Sequence, residues 1–132
     1  MSKLLERLSD PARSGVYRVT RADEVLDALR GSPLALARLD LRQPVFEAFS
    51  QALAFPDWFG RNWDALEDCL TDLSWRPDQG QVLLMEGARD GGMLVEVLGA
   101  AAQFWAGQGR SFFAVFLDPD RRLDLPDLFR EA

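Results

Sequence analysis

Residues 55–75 read FPDWFGRNWDALEDCLTDLSW, and the reading of this stretch governs that of the whole chain. It holds Trp58, Trp63 and Trp75, three of the chain's four tryptophans. It also holds Asp57, Asp64, Glu67, Asp68 and Asp72 against Arg61 alone, so five acids and one base leave −4 of the chain's total −6. A helix from Trp63 to Leu73, turning about 100° per residue, puts Trp63, Leu66, Leu70 and Leu73 on one side with Ala65 and Cys69 beside them. Asp64, Glu67, Asp68, Thr71 and Asp72 fall opposite. Asn62 is a good N-cap, and Asp64 suits the positive end of the helix dipole. Periodicity alone thus gives a helix with a buried face, where Trp63 and Cys69 are core, and a solvated acidic face.

Two features exceed that plain reading. Asp64, Asp68 and Asp72 follow one another at i,i+4 spacing with no basic partner, and like charges so placed repel. The preceding loop, PDWFGRN, carries Trp58 and Phe59 side by side, and one is expected in the core with the other offered to a partner. Desolvated aromatics beside steering charges are what a protein-binding surface needs.

Outward from this stretch, strand and helix signals alternate. LLERL suits a short N-terminal helix. GVYRVT (15–20) reads as a strand, and Thr20 is placed to cap a helix RADEVLDALR that stops at Gly31. LALARLDL (34–41) fits a buried strand, and PVFEAFSQALA a helix that Pro56 prevents from continuing. PDQG makes a turn before a strand at QVLLM. GMLVEVLGAAAQFWAG is helical, and SFFAVFL is a continuous apolar strand of the kind buried on both faces. The tail predicts a last helical turn around Leu125–Phe129. The alternation implies an α/β fold with a small parallel, or mostly parallel, sheet of three to four strands packed with helices. One domain is expected over 1–132, with a core of about 34–118, a strand-helix extension at 1–33 and a tail at 119–132.

Composition narrows the function. The chain is 48% hydrophobic and 27% charged, ordinary for a globular domain. The absence of histidine removes the commonest general base. With a single cysteine it also argues against a zinc site, and no metal or cofactor is expected. Net negative charge disfavours nucleic acid as a direct ligand, and no apolar run is long enough for a membrane span. The lone Cys69 and an N-terminal MSKLLERLSDP without an unbroken apolar segment predict a cytoplasmic protein. A monomer is expected.

ALAFPDWFGRNWDALEDCLTDLSW resembles the signature of the barstar family, intracellular inhibitors of secreted barnase-type ribonucleases. The likeness rests on a Pro-acid-aromatic-aromatic-Gly-x-Asn loop followed by x-Asp-Ala-Leu-x-Asp-Cys-Leu-Thr, and extends more weakly over about 34–118. The resemblance implies a small parallel sheet with helices around it, no catalysis, and an immunity role against a small secreted, guanyl-specific ribonuclease. It implies that the loop and helix fill the enzyme's basic groove. Trp58 matches the first loop aromatic, and Asp64 and Asp68 the two helix aspartates, with Asp68 the dominant anchor to the enzyme's arginines. The full partner-binding set expected is Trp58, Phe59, Asp64, Glu67, Asp68 and Asp72. Glu67 stands where the prototype has a large aromatic, and Arg61 where it is acidic.

Two other readings compete. Asp40, Glu86 and Asp118 sit near the ends of proposed parallel strands, where α/β enzymes hold ligands, and VFLDPD resembles the start of a haloacid-dehalogenase-type phosphatase. That motif lies 14 residues from the C-terminus, without room for such a domain, so strand-ending acids are the better account. The alternative to inhibition is a barstar-like interaction module with a non-ribonuclease partner.

Overall fold

A computed structural model describes residues 2–76, 79–89 and 91–129. The two most apolar strands, β3 (Gln81–Glu86) and β4 (Phe112–Leu117), lie side by side at the centre of the sheet. β1 (Gly15–Val19) flanks β4 and β2 (Ala35–Asp40) flanks β3, giving the order β1-β4-β3-β2 with every pair parallel. Parallel neighbours need crossovers, and the direction of each step decides where its helices go. The chain steps from β2 through α3 (Val45–Leu53) and α4 (Trp63–Leu70) to β3, then through α5 (Gly92–Gly107) to β4. All of these steps run the same way across the sheet, so right-handed crossovers place α3, α4 and α5 on one face. The step from β1 through α2 (Ala22–Leu29) to β2 runs back, which sends α2 to the other face beside α1 (Lys3–Leu8).

Two cores follow from the strand alternation. Leu83, Met85, Ala114 and Phe116 meet Phe49, Leu66, Leu70 and Leu98 on one side. Val82, Leu84, Phe113 and Val115 meet Leu4, Leu8, Val25 and Leu29 on the other. The fold is therefore α/β, with a four-stranded all-parallel sheet covered by helices on both faces. Residues 15–29 supply the edge strand β1 and the covering helix α2.

The structure corrects three local expectations. LALARLDL is an edge strand, not a buried one: only Ala37 and Leu39 are fully covered and Arg38 faces solvent, because among the described residues no strand lies beyond β2. Thr20 does not cap α2; Arg21 holds that position without a side-chain cap bond, and its guanidinium pairs with Asp23 in the first turn. The tail forms no helical turn at Leu125–Phe129. It runs along β1 instead, where the Arg18 N–H donates to Pro126 O and the Leu128 N–H to Arg18 O, at 2.9 Å each. Those bonds satisfy main-chain groups that an open edge strand leaves unpaired, and an Arg18–Asp127 ion pair at 3.0 Å adds to them. The turn expected at PDQG falls partly on Pro77 and Asp78, outside the described residues.

Candidate partner-binding surface

The loop before α4 is held from below by aromatic packing. α3 closes at Leu53, Ala54 turns left-handed at φ 52°, and Pro56 follows. Phe55 and Phe59 both turn inward, with ring centroids 4.8 Å apart, and Phe59 also meets the edge of Phe46 on α3. Phe46 in turn meets Trp63 at 5.0 Å. Trp58 has no place in this cluster and is 65% exposed. Of the two adjacent aromatics, Phe59 therefore holds the loop and Trp58 faces solvent. Arg61, also left-handed, turns its guanidinium to Glu47 on α3.

Asn62 starts α4, its side-chain oxygen accepting the Ala65 N–H at 2.7 Å. Leu66, Cys69 and Leu70 are buried against the core, whereas Asp64, Glu67 and Asp68 are exposed. α4 is shorter than its sequence pattern implies and ends at Leu70. The Thr71 hydroxyl turns back to the carbonyls of Glu67 and Asp68, and Leu73 adopts φ 49°, which closes the last turn. Asp72 thus lies in the exposed turn after α4 rather than on a third helical step. Among the described residues, none of Asp64, Glu67, Asp68 and Asp72 has an ion-pair partner. Beneath them, burial pushes the Cys69 thiol up from its ordinary pKa, and the carboxylates of Asp68 and Asp72 push the same way.

Two indoles fasten this region. Trp75 donates to Leu53 O, at the end of α3, across 2.8 Å, and Trp105 of α5 donates to Leu70 O, at the end of α4, across 2.7 Å. The reading from sequence marked neither Trp105 nor Glu47. Their partners lie 35 and 14 residues away, and nothing local signals a contact at that separation.

The strand-ending acids are engaged elsewhere. Arg42 pairs with Asp40 at 2.8 Å and holds its carboxyl below the usual range. Arg38 pairs with Glu86 at 2.9 Å. Asp118 is buried and accepts the main-chain N–H groups of Arg122 and Leu123 at 2.9 and 2.8 Å. Among the described residues no three His, Cys, Asp or Glu side chains gather as a metal site would require, and no helix is long and apolar enough to cross a membrane.

The fold and this surface define a class: a parallel α/β domain that presents an exposed acidic helix beside an exposed tryptophan. The family model described as Barstar (barnase inhibitor) matches residues 33–117, more than half of the chain. The chain belongs to the barstar family. Among curated proteins, none matches the sequence.

Proposed function

We propose that this protein binds a barnase-type ribonuclease and occludes its basic active site, performing no catalysis itself. The observation that carries the reading is the unpaired exposed acid on α4 and the turn after it, beside the exposed Trp58. Unpaired carboxylates destabilise their own helix through like-charge repulsion, whereas a cationic groove would satisfy them. Asp68 is the anchor, Asp64, Glu67 and Asp72 steer, and Trp58 supplies apolar contact. The partner is a small secreted, guanyl-specific enzyme, and the inhibitor is a cytoplasmic monomer that protects its host. Family membership supports the inhibitor class, and the geometry supports the side of the domain that docks.

The test is a titration of the protein into barnase-type ribonucleases, following RNA cleavage, with Asp68→Ala alongside. Stoichiometric inhibition that the substitution removes is the expected result. No inhibition of any such enzyme would leave a barstar-family interaction module with a different target.

A further inference from the structure

One positive charge sits within the acidic stretch of residues 55–75. Arg61 lies between Trp58 and Asp64 in sequence, directly before the capping Asn62. Its φ of 52° is a left-handed conformation that residues with a β-carbon adopt only at a cost. The guanidinium is bonded to Glu47, and the two side chains remain 53% and 46% exposed. Exposed pairs of this kind are weakly held, so the guanidinium can exchange Glu47 for another carboxylate at little cost.

We propose that Arg61 is a specificity-determining residue: it selects partners whose cationic docking face carries a carboxylate opposite Arg61, and disfavours those whose face is cationic throughout. This rests on the inhibitor reading above. Asp64, Glu67 and Asp68 attract any basic surface and do not separate one basic partner from another. Arg61 does separate them. A cation facing it is repelled as water leaves the interface, and such repulsion is how interfaces reject wrong partners. A carboxylate facing it takes the place of Glu47 in the fork of the guanidinium, and Glu47 returns to water. The left-handed turn and the cap at Asn62 fix the backbone from which Arg61 projects, three residues before Asp64.

A simpler role for the pair would be to hold the loop to α3, and a charge swap separates the two. Glu47→Arg combined with Arg61→Glu keeps an ion pair between α3 and the loop but reverses the charge at position 61. Association and dissociation rates are measured for the wild type, Arg61→Ala and the swapped double variant. The probes are barnase-type ribonucleases chosen in two groups, with and without a carboxylate at the rim of the active site, and urea unfolding checks each variant. The swap is expected to tighten binding to the all-cationic rims and weaken it to the others, by about five-fold in each direction. An unchanged ratio between the two groups overturns the proposal, and so does a uniform loss in Arg61→Ala that the swap restores, which would make the pair a tether. If no form binds any ribonuclease, the inhibitor reading fails and this inference falls with it.

Discussion

The indole N–H of Trp105 donates to the main-chain carbonyl of Leu70 across 2.7 Å, tying α5 to the last residue of α4. Carbonyls at a helix C-terminus have no partner within the helix, and this one is buried, where an unmade bond is costly. Trp75 does the same for Leu53 at the end of α3. The acidic helix is therefore fastened at its far end by a side chain that takes no part in its exposed face.

Trp105→Phe keeps a ring in the core and removes the donor together with part of the indole's volume. It is expected to lower stability by about 1–3 kcal/mol, the cost of leaving a buried acceptor unmet. Urea unfolding measures this directly. No loss would mean that water reaches the Leu70 carbonyl.

Trp58 and Phe59 are neighbours in sequence with opposite fates, and their alanine variants should separate stability from binding. Phe59 packs against Phe55 and Phe46, so Phe59→Ala should cost about 3–5 kcal/mol. Trp58 lies 65% exposed, and Trp58→Ala should stay within about 0.5 kcal/mol of the wild type. Ribonuclease binding should weaken in Trp58→Ala. A stability loss in that variant as large as in Phe59→Ala would place Trp58 in the core.

Much of this was legible in the sequence because it depends on local periodicity. The stripe Leu66, Cys69, Leu70 appears at helical spacing and is buried, and the unbroken run of β4 is a strand covered on both faces. The Asn62 cap needs only the residue three positions on. What was not legible depends on distance along the chain. The edge position of β2 follows from sheet order, and the path of the tail along β1 depends on Arg18 and Asp127, which are 109 residues apart. The pairing of Arg61 with Glu47 and the bonds made by the indoles of Trp75 and Trp105 are of the same kind. The end of α4 is hidden in the sequence because apolar periodicity runs on to Leu73, although the chain turns left-handed there.

Asp68 sits in the last turn of α4, at the negative end of the helix dipole, four residues after Asp64 and with no base in that turn. Both positions are unfavourable for an acid. Asp68→Ala should therefore raise stability by about 0.5–1 kcal/mol, through relief of these terms and the better helix propensity of alanine, while abolishing tight ribonuclease binding. Salt should act in the same two senses. It screens the repulsion on α4 and the attraction to a basic partner alike over about 10 Å at 0.1 M, so unfolding shifts upward as association slows. A destabilised Asp68→Ala, or an association rate indifferent to salt, would show that the acid serves the fold and not the encounter.

Cys69 gives the surface a pH signature from below. The thiol is buried beside Asp68 and Asp72, and its pKa is raised, first by burial and then by those two carboxylates. A raised folded-state pKa means that the native protein holds its proton longer than the unfolded chain does. The stability contributed by the neutral thiol is then complete below the ordinary thiol value of about 8.5 and is lost as pH climbs from there toward the folded value. Wild-type protein should accordingly lose stability above about pH 8.5 more steeply than Cys69→Ala, with the difference between the two curves isolating the thiol from other groups that titrate there. Alkylation by iodoacetamide at pH 8 should be slow in the native state and limited by opening of the fold, because the thiolate is the nucleophile and is both scarce and covered. Parallel stability curves, or fast alkylation of the native protein, would show that the thiol is open to solvent and that α4 is less firmly seated than the Trp105–Leu70 bond implies.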